Sequence, residues 1–277
     1  MKRTAARFAV CSLLCLLLPI AAPAQAPATH EPPDFTKAFD TPFSAPLSTT
    51  TNSEGWAIGS DFGLVRRDPS LIRALADTNQ LSTNPAGGLT TQWRQGGPSG
   101  NQTVGRVYYR GPLPAANHGY LYQRITFKID PGWTDNGNAG AKFFWTKASG
   151  SPINHGWRIT THGQPRVAVF LQGTKEVEWQ SLASYSKGAW HTLELLYTPN
   201  TPGVPNGGLD GWMDGMPIIW TRTGEAPTGH VANLLWFKAG DTPRFTNFYF
   251  DFLYGGGQHT PPRDLYTWVG HLYCSMR

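Results

Sequence analysis

From Gly105 onward the chain repeats one local pattern: a short run of aromatic and branched residues, closed by a cluster of Gly, Pro or Asn. The runs are Gly105–Arg110, Tyr120–Ile129, Ala141–Lys147, Trp157–Thr161, Arg166–Gln172, Trp190–Thr198, Gly211–Asp214, Pro217–Arg222, Asn233–Lys238, Phe245–Tyr254 and Tyr266–Tyr273. Branched and aromatic side chains suit the pleated, half-buried surface of a strand, and the residues between them suit turns. Eleven such runs with almost no helical periodicity predict an all-β sandwich or barrel. One helix is expected: Asp68 as N-cap, Pro69 at the first helical position, and Leu71, Ile72 and Leu75 facing inward, ending by about Asp77. Glu176-Val177-Glu178 reads as a linking segment with solvated glutamates.

The N-terminus reads differently. Lys2, Arg3 and Arg7 precede an apolar run from Phe8 to Ile20, and Ala24-Gln25-Ala26 follows. These are the parts of a secretory signal peptide, residues 1–26, with cleavage after Ala26. The run is shorter than the roughly 20 residues that span a bilayer. The expectation is a secreted or periplasmic protein with no membrane association after cleavage. Residues 27–50 carry Pro27, Pro32, Pro33, Pro42 and Pro46 and read as an extended leader, loosely held, with Phe35, Phe39 and Phe43 pinning it to a single domain over 51–277.

Cleavage removes three basic residues, so the formal net charge of +5 falls to +2. A mildly basic chain without a clustered patch gives no case for nucleic acid. Cys11 and Cys15 leave with the leader, and Cys274 alone cannot form an internal disulfide. The fold must rest on its hydrophobic core, and a chain of about 250 residues can bury one.

Side chains alternate across a strand. In Tyr120–Ile129, Leu121, Ile125, Phe127 and Ile129 share one face, while Tyr120, Tyr122, Arg124, Thr126 and Lys128 share the other. In Arg166–Gln172, Val167, Val169 and Leu171 oppose Arg166, Ala168, Phe170 and Gln172. The non-core face is aromatic and basic, the chemistry that stacks on a sugar ring and holds a carboxylate or hydroxyls.

Several segments carry a family pattern. Trp190-His191-Thr192-Leu193-Glu194, followed by Asn206-Gly207-Gly208-Leu209-Asp210-Gly211-Trp212-Met213-Asp214-Gly215, resembles the hairpin of concanavalin-A-like jelly rolls, with Asn-Gly and Asp-Gly pairs as turns. Gly119-Tyr120-Leu121-Tyr122-Gln123-Arg124, Gly140-Ala141-Lys142-Phe143-Phe144, Trp157-Arg158 and Val269-Gly270-His271-Leu272-Tyr273 resemble strands of polysaccharide lyases of that fold, of the alginate and glucuronan lyase kind. The resemblance covers roughly residues 105–273 and implies a two-sheet antiparallel jelly roll. The chain departs from the lyase pattern at Gly156-Trp157, where those enzymes have a polar residue before the arginine, and at Ala168 and Phe170, where they have tyrosines.

A lyase must neutralise a uronate carboxylate, remove the α-proton and protonate the leaving oxygen. The resemblance implies Lys142 as base, Arg158 as carboxylate clamp and Tyr122 as proton donor, with His162 a further catalytic candidate. Arg124, Tyr120, Arg166 and Gln172 are candidate substrate contacts, and the implied partner is an acidic polysaccharide. A non-catalytic, lectin-like carbohydrate-binding module is the alternative, since the same groove serves both. A glycoside hydrolase needs two carboxyl groups about 5–9.5 Å apart. Jelly-roll glucanases supply them from one E-x-D-x-(x)-E run, and no such run occurs here, which leaves a glycoside hydrolase as the third reading. A protein-binding or envelope component is a further class. His155, His162 and His191 lack transition-metal spacing, and His191 reads as a hydrogen-bonding residue. No cofactor is expected; structural calcium is common in the wider fold, but no acidic loop announces it. The sequence carries no nucleophile elbow, P-loop or dinucleotide fingerprint.

Overall fold

The structure, a computed structural model, describes residues 29–45, 47, 50–58, 75–76, 89–93, 103–115, 117–133, 141–148, 154–160, 166–172, 177–253, 263 and 265–277. Within these, side chains are described except at 75–76, 90–93, 103–106, 141–143, 148, 154–160, 170–172, 177 and 251–253. The expected signal peptide lies outside the described residues.

Among the described residues there are seventeen strands and no helix. In chain order they are β1 (Thr36–Thr41), β2 (Trp56–Ile58), β3 (Leu75–Ala76), β4 (Leu89–Trp93), β5 (Thr103–Tyr109) and β6 (Leu121–Ile129). Then come β7 (Ala141–Ala148), β8 (Asn154–Thr160), β9 (Arg166–Gln172), β10 (Val177–Ser181), β11 (Trp190–Thr198) and β12 (Gly207–Met213). The last are β13 (Met216–Pro217), β14 (Trp220–Thr221), β15 (Val231–Leu234), β16 (Phe245–Leu253) and β17 (Leu265–Met276). One sheet runs β13-β12-β11-β6-β17-β4-β3, with β1 added on β17 and β15 on β12; the other runs β14-β10-β9-β8-β7-β16-β5-β2. All the recorded pairings are antiparallel. We call them the front (β7-containing) and back (β17-containing) sheets.

The inner faces meet in one large aromatic core, with Trp56, Trp220, Trp236, Phe127 and Phe144 among its fully buried side chains. It is not purely apolar: the buried Gln123 of the back sheet donates to Thr146 Oγ1 of the front sheet at 2.8 Å. That bond satisfies two polar groups that would otherwise be costly to bury.

Strand β17 shows how the sequence meets this constraint. Leu265, Thr267 and Val269 point into the core, as do Leu272, Cys274 and Met276. Strict alternation would turn one half of the strand outward, because one residue of slip flips every side chain. Opposite β6 the register shifts between Val269 and His271, so Gly270 is the extra residue of a bulge that restores the inward face. A Cβ at Gly270 would lie 3.1 Å from the Trp190 ring. The Asp214-Gly215 turn is formed as expected, both residues having positive φ (53° and 80°), which matches a two-residue hairpin turn. Asn206-Gly207 is not a turn: Gly207 already opens β12, and Asn206 Oδ1 accepts from the Thr201 N–H at 2.7 Å.

Three other expectations are corrected. The leader is not loosely held over its described part, where β1 pairs with β17; Phe39 and Phe43 pin it as expected, both being buried in the core. Residues 68–74 of the expected helix lie outside the described residues, but Leu75 and Ala76 pair as strand with Thr90 and Leu89. Val177–Ser181 is a strand between β9 and β14 rather than a linker.

Gly270→Val is expected to lower the unfolding free energy by about 1–3 kcal/mol through overpacking against Trp190. Chemical denaturation reads this directly, and an unchanged midpoint would show that the bulge tolerates a side chain.

Candidate functional site

The front sheet's outer face is set by alternation from the core. On β7, Phe144 is in the core and Thr146 meets Gln123 across it, so Trp145 points outward. Trp145 and Tyr249 of β16 stack, with planes 2° apart and centroids at 6.1 Å, in a cluster separate from the core. Tyr108 of β5 joins Tyr249 at 5.3 Å, and the Arg110 guanidinium lies 4.7 Å above the Tyr108 ring. This aromatic row continues in register through Gly156 to Phe170 and Glu178.

The neighbouring row carries the charged residues. Lys142 pairs in register with Arg158, Arg158 with Ala168, Ala168 with Gln180, and Gln180 with Thr221. Phe143 is the extra residue of a β7 bulge, since Lys142 and Phe144 face the adjacent β8 residues Arg158 and Trp157. The row therefore brings the backbone positions of Lys142 and Arg158 together. At its far end Arg166, Glu178, Gln180, Thr221, Arg222 and Thr223 line an open polar pocket of about 640 Å³. Gln172 lies on the same sheet, in register with Asn154. His162 lies outside the described residues.

Tyr120, Tyr122 and Arg124 do not join this set, because β6 belongs to the back sheet. Tyr122 points away from the core, yet it is fully buried, beneath the N-terminal segment Thr29–Glu31. Its hydroxyl donates to Glu194 Oε2 at 2.5 Å and is 2.9 Å from Thr29 Oγ1. The same carboxylate oxygen accepts from the His30 N–H at 2.9 Å and lies 3.2 Å from His30 Nδ1. The His30 ring stacks on Trp212 at 4.3 Å, and Tyr273 donates to Glu31 Oε1 at 2.7 Å. Burial, and then the hydrogen bond to Glu194, hold the Tyr122 hydroxyl protonated far above the usual phenol range. Tyr120 instead packs under Arg277, whose guanidinium is 4.1 Å from its ring. Arg124 sits in register between Tyr273 and Glu194. The expected convergence of Tyr122, Arg124 and Lys142 in one groove is thus replaced by a split between the two sheets.

A second constellation lies in a cleft of about 520 Å³ lined by residues including Ser186, His191, Asp214 and Met216. His191 Nδ1 is 2.7 Å from Asp214 Oδ2, and Nε2 is 2.9 Å from the Ser186 carbonyl and 3.2 Å from Ser186 Oγ. The order Ser–His–Asp invites comparison with a hydrolase triad, which needs a base nitrogen with a free lone pair. Here both ring nitrogens face acceptors, an arrangement that suits the imidazolium and leaves nothing to take the serine proton. Burial opposes that charge, but the hydrogen bonds to Asp214 and the Ser186 carbonyl outweigh it, and the His191 pKa is raised. Burial likewise opposes the Asp214 carboxylate, and hydrogen bonds from His191 and the Thr192 N–H prevail, lowering its pKa. Among the described residues no three of His, Cys, Asp and Glu come together as metal ligands.

No protein-family model matches the chain, and no curated protein is similar to it at a significant level. Its fold does match solved structures. An endo-1,3-β-glucanase from Streptomyces sioyaensis superposes with a TM-score of 0.57 at 14% identity, over 91% of this chain and 99% of the other. A marine alginate lyase from Aplysia kurodai gives 0.55 at 13% identity, over 87% and 100%. An endo-β-1,4-glucuronan lyase from the fungus Trichoderma reesei gives 0.53 at 14% identity, over 80% and 94%. The fold is the concanavalin-A-like jelly roll that lyases and a glucanase share.

Sequence reasoning misses Gln180, which follows the Glu176–Glu178 segment read as a linker, and Arg222, which it places at the end of a strand run without a role. The alternation of Glu178 and Gln180 with the buried Trp179 and Ser181 was the available signal.

Two outcomes are expected. Tyr122→Phe removes a donor to a buried carboxylate and should cost about 1–3 kcal/mol of stability, measured by denaturant titration. For the His191–Asp214 pair, the histidine contributes fully below about pH 6.5 and loses its contribution as pH rises through its raised native pKa. The aspartate contributes above about pH 3.9 and loses its contribution as pH falls through its lowered native pKa. The melting-temperature gap between wild type and Asp214→Asn should therefore be widest between about pH 4 and 6.5 and close in alkali; a gap that widened in alkali would contradict the imidazolium assignment.

Proposed function

We propose that the protein is an exported polysaccharide lyase that cleaves a uronate-containing glycan by β-elimination on the outer face of the front sheet. The observation that carries this reading is the cross-strand register of Lys142 with Arg158 on one row, beside the aromatic row of Trp145, Tyr249 and Tyr108. The shared fold of alginate and glucuronan lyases supports it. A fold alone does not assign an activity, and the glucanase carries the same one. The front row supplies a lysine and an arginine rather than a pair of carboxylates, which favours elimination over hydrolysis.

In this reading Arg158 neutralises the uronate carboxylate, which acidifies the adjacent C–H and stabilises the charge that develops as the proton leaves. Lys142, as the free amine, takes that proton, and a cationic neighbour such as Arg158 favours the amine form. The C–O bond to the leaving sugar then breaks, its electron pair departing on oxygen while the C–H pair forms the new C=C bond. With Tyr122 committed to Glu194 on the opposite sheet, the ammonium formed on Lys142 returns the proton to the leaving oxygen. Tyr108, which is only partly buried, offers its ring to a sugar, with the buried Trp145 and Tyr249 packed behind it.

A second reading, a non-catalytic carbohydrate-binding module, draws on Ala168 and Phe170, where the lyase pattern has tyrosines, and on the sequestered Tyr122. The two are separated by incubating the protein with a panel of uronate polysaccharides and following the ultraviolet absorbance of the unsaturated product. A rise on one substrate is expected, with Lys142→Ala lowering the rate by about 10²–10⁴-fold while binding persists. Full activity in Lys142→Ala would remove the base assignment, and a flat trace from folded wild-type protein, with binding retained, would establish the module.

A further inference from the structure

The pocket at the β10–β14 edge is continuous with the Lys142–Arg158 row, since Ala168, Gln180 and Thr221 carry that row from β9 into the pocket wall. It contrasts with the aromatic row beside it: its lining is two arginines, a glutamate, a glutamine and two threonines. Arg222 is held in place from two sides. It donates to Glu225 Oε1 at 2.7 Å, and its guanidinium lies 5.7 Å from the Trp179 ring centroid. One interaction with Glu225 leaves most of the five N–H groups of the guanidinium for another acceptor. Gln180 is likewise oriented, its Nε2 donating to Glu178 Oε1 at 2.8 Å, which leaves the amide oxygen and a second N–H to contact a ligand. A guanidinium and an amide lining one pocket suit a carboxylate flanked by hydroxyls.

We infer that this pocket is a distal subsite that binds the carboxylate of a uronate residue remote from the residue being cleaved. The inference rests on the reading of the front face as an acidic-polysaccharide groove. From β7 to β14 the row crosses four strand spacings, about 19 Å at 4.7–4.9 Å each. That span exceeds one sugar and requires a chain of several. The subsite therefore selects for length as well as for charge: a long acidic oligosaccharide bridges the row and the pocket, whereas a short one occupies either place alone. On a catalytic groove this arrangement favours attack within a chain over removal of terminal units.

The test is calorimetric binding of uronate trisaccharide, uronate hexasaccharide and carboxyl-reduced hexasaccharide, in a Lys142→Ala background that prevents turnover. Arg222→Ala and Arg222→Lys are compared with that parent after thermal unfolding shows that the variants are folded. Arg222→Ala is expected to weaken the uronate hexasaccharide by about tenfold or more, with a partial loss for Arg222→Lys. The carboxyl-reduced hexasaccharide should bind weakly and be insensitive to either substitution, and the trisaccharide should lose less than the hexasaccharide. Equal affinity of parent and Arg222→Ala for the uronate hexasaccharide would overturn the inference, as would an equal loss for the carboxyl-reduced sugar. Elimination assays on the wild type separate the two layers. Elimination together with an indifferent Arg222 removes the subsite alone. Length- and charge-dependent binding without elimination leaves the subsite standing on a binding module.

Discussion

Two inner faces must be sealed against each other by packing, helped by the buried Gln123–Thr146 hydrogen bond. The Cys274 thiol is free, so no cross-link holds the sheets together, and the seal is made of rings such as Trp56, Phe144, Trp220 and Trp236. Aromatic side chains bury large areas and interlock edge to face. The seal dictates much else. It forces the Gly270 bulge, because both halves of β17 must present apolar residues inward. It draws Phe39 and Phe43 into the core and with them the chain's early segment. It also leaves the outer faces as the places where chemistry can sit.

Those outer faces have opposite fates. The back sheet is closed where Thr29–Glu31 crosses it, and its tyrosine, carboxylate and tryptophan satisfy one another and the crossing segment. The front sheet keeps an open polar pocket at its β10–β14 edge, with the Trp145–Tyr249 cluster packed beside the register positions of Lys142 and Arg158. A tyrosine, a glutamate and a tryptophan on a strand face are not by themselves a sugar site; what lies over them decides. On the back sheet the occupant is the protein's own chain.

The strand pattern was legible because it is local. Most of the eleven runs coincide with observed strands, but Pro217–Arg222 is interrupted between β13 and β14, and Asn233–Lys238 leaves β15 after Leu234. On β9 Val167 and Val169 face the core as the sequence implies, while Ala168 is buried on the other face. What escaped depends on distance along the chain or on parity. No local pattern could show that His30 meets Glu194, 164 positions away. In Lys142-Phe143-Phe144-Trp145 nearly every residue is apolar, so alternation could not locate the bulge that sets which row Lys142 joins. Tyr122 was assigned to the groove because its outward face was read correctly but its sheet was not. The short strand β10 is obscured by Glu178, which alternates outward with the buried Trp179 rather than lying in a loop.

The position of Cys274 gives the molecule a built-in reporter. Its thiol is fully buried on β17, and burial holds its pKa well above the ordinary value, so the reactive thiolate is suppressed. That strand is hydrogen-bonded to β6 on one edge and to β4 and β1 on the other. A thiol reagent gains access only when the Cys274 end of β17 parts from β6 and β1, so its labelling rate in native buffer counts openings of that part of the sheet rather than the fraying of distant loops.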